Sequence, residues 1–202
     1  GIEDDEPGET HAFGREKLDA FLEIMKVKVN EDPNFRTVVW TRFRAEQQRM
    51  ATELKTGGIK VYRIYGGQKD TERQEAIREF TQGVALGPMA LLGQPQAGGF
   101  GLNLVTASYC FYMSNDYSLL TRLQSEDRQH RRGQINKVLY NDVLATGPKG
   151  QQTIDHIIYQ ALRRKDDFAK WTTDHWVTKL TEEKLMTLED LMHEMEHTSL
   201  PF

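Results

Sequence analysis

Gln124-Ser-Glu-Asp-Arg-Gln-His-Arg-Arg-Gly-Gln134 gathers Arg128, His130, Arg131 and Arg132 within five residues, with Glu126 and Asp127 beside them. Arg128 and Arg131 are three apart, so on a helical turn they stand at neighbouring positions. Gln124, four before Arg128, shares that face and can orient a base, a ribose or a water. Two guanidinium forks aimed the same way suit a polyphosphate, because each gives parallel hydrogen bonds to phosphate oxygens. The plainer alternative is a solvated helix end with intrahelical ion pairs. The surrounding chain decides between them.

Working outward, Tyr117 to Asp127 reads as a helix between two strands, Tyr109–Met113 and Val138–Leu144. Upstream, Thr37-Val-Val-Trp-Thr41 is a short β-branched run that reads as a buried parallel strand. Lys60–Tyr65 and Pro88–Leu92 are two more strands. Leu18, Phe21, Leu22 and Met25 have helical spacing and predict a helix over 15–28, broken by Asn30-Glu-Asp-Pro-Asn34. Residues 43–55 form a helix ended by Gly57-Gly58, and 70–80 another with Ala76, Ile77 and Phe80 facing inward. Strands alternating with helices of this length predict an α/β fold, a parallel sheet with helices on both faces. Ligands of such sheets bind at the carboxyl ends of the strands, here Thr41–Arg44, Gly66–Asp70, Gly93–Leu104 and Ser114–Ser118. After a loop at Thr146–Gly150, residues 152–170 are helical, with Ile154, Ile157, Ile158, Ala161 and Leu162 on one face. A last helix over 181–197 opens with Thr181 as N-cap, with Lys184 where Glu or Gln completes a capping box. The expected organisation is an acidic, disordered lead-in over 1–12, a lobe over 13–150 and a helical extension over 151–202.

Composition limits the class. The chain of 202 residues is 38% hydrophobic and 28% charged, with a net charge of −4. That excludes a generally cationic nucleic-acid coat but leaves room for a local basic groove. The single cysteine, Cys110, lies in an apolar run and reads as a small buried hydrophobe, so no internal disulfide forms. No apolar run approaches the ~18 residues of a membrane span and no signal peptide is visible, so the expected place of action is the cytoplasm, with no membrane partner.

Five blocks carry a resemblance. Q-x-x-D-R-x-H-R-x-G-Q, met at Gln124, Asp127, Arg128, His130, Arg131, Gly133 and Gln134, resembles motif VI of the Swi/Snf-type helicase-like ATPases of superfamily two. Ala97-Gly-Gly-Phe-Gly-Leu-Asn-Leu104 resembles motif V of that family, which contacts nucleotide and nucleic-acid backbone. Val38-Val-Trp-Thr41 with Arg42 resembles motif IV, and Tyr65-Gly-Gly with Arg73, Ile77 and Phe80 resembles motif IVa. Thr153-Ile-Asp-His-Ile-Ile with Lys165 is similar to the helix that follows motif VI in these lobes. Together the blocks cover about residues 15–170 in the family's order.

The resemblance implies the C-terminal RecA-like lobe of a DNA-dependent ATPase or translocase. Arg128 and Arg131 would be its arginine fingers. Gly99, Gly101, Asn103, Gln124 and Asp127 would touch nucleotide. Thr41, Arg42, Gly66, Arg73, Gln94 and Gln96 would line double-stranded DNA. For Arg42 the structural alternative is a pair with a carboxylate on the following helix. Gln94-Pro-Gln96 stands where the family often has Ser-Thr-Lys, so a hydroxyl contact to phosphate is lost or moved. The proline is similar to phage-encoded and bacterial members, which implies a phage or prophage source and a bacterial cytoplasm. No G-x-x-x-x-G-K-[ST] occurs; Gly147-Pro-Lys-Gly150 lacks its spacing. ATP and Mg²⁺ are therefore expected to be bound mainly by a separate N-terminal lobe, and this chain alone is expected to be inactive. Two rivals remain. One is a non-catalytic nucleic-acid-binding or protein-docking module. The other is a zinc peptidase through His193-Glu194-x-x-His197, weighed against the solvated face those residues would share. No residue is assigned to a metal.

Overall fold

β1 (Arg36–Trp40) lies at the centre of a five-stranded sheet in the order β2-β3-β1-β4-β5. Its partners are β2 (Lys60–Ile64), β3 (Met89–Gly93), β4 (Tyr109–Tyr112) and β5 (Leu139–Asp142). Every neighbouring pair is parallel, as strands joined by helical crossovers require. The computed structural model describes residues 15–82, 87–98, 102–134 and 137–181. Over them the architecture is the expected RecA-like α/β sheet. The chain divides into two units between Tyr159 and Gln160.

The apolar runs explain the strand order. All five residues of β3 and the last four of β1 are buried, which suits strands covered on both faces. Successive side chains point to opposite faces, so Val39 and Leu92 enter one core while Val38, Trp40 and Leu91 enter the other. The first core holds Leu18, Phe21 and Met25 of α1 (Glu16–Glu31) and Met50 and Leu54 of α2 (Arg44–Thr56). The second holds Phe80 of α3 (Asp70–Gln82), with Ile77 packed against it, and Leu102, Leu104 and Ala107 of the loop before β4.

Helix ends depart from expectation for identifiable reasons. α1 continues past residue 28 to Glu31, and Asp32 turns extended because Pro33 disfavours helical backbone before it. α4 (Leu119–Glu126) starts two residues late because Ser118 is extended and its side chain accepts Thr121 N–H at 3.2 Å, the N-cap role. α5 (Ile154–Thr181) runs well beyond residue 170, so Thr181 is helical and does not cap a separate helix. The remainder of that expected helix, and the lead-in over 1–12, lie outside the described residues. The predicted apolar face of α5 is also corrected: Ile154 and Ile157 are exposed. Asp155 takes the inward position instead, pairing with Lys17 and accepting Ala145 N–H, with Ile158 buried three residues on. No helix among the described residues is long and apolar enough to cross a membrane.

Cys110 is fully buried in the second core, and burial pushes its thiol well above the usual range. The thiolate is the reactive form. A disulfide exchange reagent should therefore label Cys110 only in denaturant, within seconds, while native protein stays unlabelled over an hour; rapid native labelling would contradict the packing.

Candidate functional site

The arginine turn begins where α4 ends. Asp127 is the C-cap, and Gln129 and His130 N–H groups both reach back to the Glu126 carbonyl at 3.0 and 3.1 Å. With the helix finished, Arg128 and Arg131 no longer share a face, which corrects the expectation of two forks aimed alike. Arg128 turns inward: it is 6% exposed, its guanidinium carbon stands 5.1 Å from the Trp40 ring centroid, and Nη1 is buried without a hydrogen-bond partner. Arg131 faces solvent and gives one hydrogen bond, Nε to the Asp127 carbonyl at 3.1 Å.

Several contacts fix this turn. The Arg128 carbonyl accepts Leu104 N–H at 2.8 Å, tying the turn to the loop that carries the motif V residues. Gln129 is fully buried and donates to the Ala107 and Tyr109 carbonyls at 3.2 and 3.3 Å. Gly133, at φ +106°, takes the left-handed conformation that lets Gln134 fold back, its N–H on the Arg131 carbonyl at 3.0 Å. Behind the turn, Arg122 is clasped by Asp142 through two hydrogen bonds of 2.6 and 3.1 Å and by Glu126 at 2.5 Å. It also stacks 3.4 Å from the Tyr112 ring centroid. Burial alone would lower its pKa, but those carboxylates outweigh it and hold the guanidinium above its usual value.

Electrostatics set Arg128 apart. Burial lowers its pKa, and Arg73 and Arg131 push the same way. Arg73, which the motif resemblance assigned to DNA, is half-buried on α3, and its charge is felt at Arg128. Among the described residues none of the three forms an ion pair with a carboxylate, whereas Arg122 nearby has two. A guanidinium cluster without a counter-ion is suited to an oxyanion. Of the expected nucleotide contacts, Gln124 and Asp127 are exposed beside it, and Asn103 is exposed with its Oδ1 accepting Val105 N–H at 3.3 Å. Gly99 and Gly101 lie outside the described residues.

The expected DNA residues gather at the carboxyl ends of β1, β2 and β3. Gln94 staples these ends: its Oε1 accepts Gly66 N–H at 3.0 Å and its Nε2 donates to the Arg42 carbonyl at 2.8 Å. Gln96 is exposed and donates to Asp116 at 3.1 Å. Thr41, expected to line DNA, is fully buried, its hydroxyl engaged by Glu46 and Ser114, and it anchors the head of α2. Arg42 is exposed, its backbone N–H held by Ser114 Oγ at 2.8 Å. Of the carboxylates on the following helix, the alternative partners for Arg42, Glu46 goes to Thr41 and Ser114 and Glu53 to Arg15. Arg42 makes no ion pair among the described residues.

Pattern reading did not foresee that Trp40 lies against Arg128, because an aromatic in a strand reads simply as core. A Cβ on Gly93 would fall 2.5 Å from the Trp40 ring, so the bare glycine is what lets that ring sit there. No group of three or more His, Cys, Asp or Glu side chains among the described residues is placed to hold a metal ion. His193, Glu194 and His197 lie outside those residues.

Residues 16–133, more than half of the chain, match the helicase conserved C-terminal domain, and the chain belongs to that family. Its relatives are of Swi/Snf type. It is 28% identical over 76% of its length to a putative SWI/SNF-related matrix-associated actin-dependent regulator of chromatin subfamily A member 3-like 1 of Arabidopsis thaliana. It is 32% identical over 61% to the helicase-like transcription factor of Mus musculus, and 34% identical over 61% to the DNA repair protein RAD5 of Cryptococcus neoformans. It spans only 17%, 12% and 10% of those proteins. Among solved structures, the C-terminal part of the Fun30 ATPase domain superposes with a TM-score of 0.62 at 25% identity, covering 72% of this chain and 44% of that one.

Proposed function

We propose that this chain is the second RecA-like lobe of a DNA-dependent ATPase that translocates on duplex DNA. The observation that carries the reading is the arginine turn itself, with Arg128 buried over Trp40 and Arg131 exposed three residues on, neither in an ion pair with a carboxylate among the described residues. Its chemistry fits the phosphates of ATP, and Arg128's buried, partnerless Nη1 is a donor awaiting an acceptor. The phosphate loop would come from an N-terminal lobe, which would also hold Mg²⁺ to neutralise phosphate charge. Lobe closure would bring Arg131, already exposed, to the γ-phosphate, where its charge offsets what develops in the transition state. Arg128, braced on Trp40, would follow by leaving the ring. Asn103, Gln124 and Asp127, with Gly99 and Gly101, would border the same nucleotide. Cycles of closure would move Arg42, Gln94 and Gln96 along a DNA backbone. Pro95 supports a phage or prophage source and action in a bacterial cytoplasm.

The DNA half is tested by salt. A lobe supplying a few phosphate contacts should bind duplex weakly, with a log–log salt slope of roughly 0.9 per phosphate neutralised. Because Arg42 is exposed and pairs with no carboxylate among the described residues, Arg42→Ala should weaken binding alike for all sequences and lower that slope by about one. Unchanged affinity and slope would remove Arg42 from the interface.

A further inference from the structure

The head of α2 carries an aromatic side chain with no structural task. Phe43 occupies the N-cap position, where a short polar residue ordinarily satisfies the first amides, and it makes no side-chain cap. It is 58% exposed and belongs to neither core. A lone exposed apolar side chain is ordinary; its surroundings are not. Arg42 lies 5.8 Å from its ring centroid, and Arg44 follows it at the first helical position. Arg44 and Arg63 then share one aromatic ring, standing 4.7 and 5.2 Å from the centroid of Tyr65. Arg63 is held by neutral acceptors, Gln47 Oε1 at 3.1 Å and Gln48. Burial, and then the charge of Arg44, lower its pKa. None of these three arginines forms an ion pair among the described residues, and Glu46, the acid in the first turn of α2, is turned to Thr41 and Ser114. Cations interleaved with aromatic rings and stripped of acids suit nucleic acid better than an apolar protein partner.

We propose that Phe43 is a stacking platform for an unpaired base, with Arg42, Arg44 and the Tyr65-bridged Arg63 holding the flanking phosphates. In an intact duplex both faces of an internal base are covered by its neighbours. The ring is therefore used only where a base is free, at a gap, an overhang or an opened end. The inference rests on the nucleic-acid reading above and adds to it a preference for duplex joined to single strand. The platform uses none of the residues of the arginine turn, which the proposed function gives to the nucleotide.

The test compares two probes at one salt concentration, a blunt duplex and the same duplex carrying a single-stranded overhang, each titrated with the 202-residue chain by fluorescence anisotropy. Wild type should bind the overhang probe about tenfold more tightly, the order of one base–aromatic stack. Phe43→Ala and Phe43→Leu should erase the preference, and Phe43→Trp should keep it. Arg44→Ala should weaken the overhang probe and lower its salt slope by about one. Equal affinity of wild type for both probes overturns this inference alone. A preference retained by Phe43→Leu also overturns it, since apolar contact rather than stacking would then be at work. Failure to bind either probe overturns the nucleic-acid reading as well.

Discussion

On the proposed reading, Arg131→Ala, introduced into a full-length protein that carries this lobe, should abolish ATP turnover while leaving nucleotide affinity nearly unchanged. Loss of an arginine finger costs about 10³–10⁵ in rate, which is roughly 4–7 kcal/mol of transition-state stabilisation. Arg131 suits this test better than Arg128. It is exposed, and its one side-chain hydrogen bond, to the Asp127 carbonyl, closes a local turn. Its removal should therefore leave the fold intact and report on chemistry alone. Arg128 rests on Trp40 and carries the backbone bond from Leu104, so changes there mix packing with function. Single-turnover hydrolysis and a nucleotide titration separate rate from binding. Turnover within tenfold of wild type would remove Arg131 from the mechanism.

The second large effect is structural. Arg122→Ala should destabilise the chain by about 3–5 kcal/mol, because deleting one member of a buried pair strands the other charge. The Arg122 and Asp142 side chains are only 13% and 11% exposed, and Glu126 loses its partner as well. Stacking on Tyr112 is lost with them. Urea unfolding measures the difference, and Asp142→Ala in the Arg122→Ala background should restore part of it by removing the stranded carboxylate. A loss below about 1 kcal/mol would place this cluster with ordinary surface pairs.

These two arginines also mark how far the sequence could be read. The strands were legible because β1 and β3 are covered on both faces, so Val38-Val-Trp40 and Met89-Ala-Leu-Leu92 carry unbroken apolar runs. The order of the motif blocks gave the family and placed the Arg42, Gln94 and Arg128 neighbourhoods at the carboxyl ends of the strands. The geometry inside the arginine turn was not legible. The helix was expected to end at Asp127 and does so at Glu126, but spacing alone still put Arg128 and Arg131 at neighbouring positions of one turn. Arg128 is instead drawn inward by a ring from β1, a strand distant in sequence. The surroundings of Thr41 were not legible for a related reason. A hydroxyl at a strand's carboxyl end serves a phosphate or a carboxylate equally well, and here Glu46 on the next helix takes it.

The central claim is that this lobe completes an ATP site it does not itself contain. DNA-stimulated ATP hydrolysis, measured side by side for the 202-residue chain and for the full-length protein, tests it most directly. The expected result is no DNA-dependent turnover by the chain at any concentration, and turnover by the full-length protein that rises with duplex DNA. Robust DNA-stimulated hydrolysis by the chain alone, or none by the full-length protein, would contradict the account.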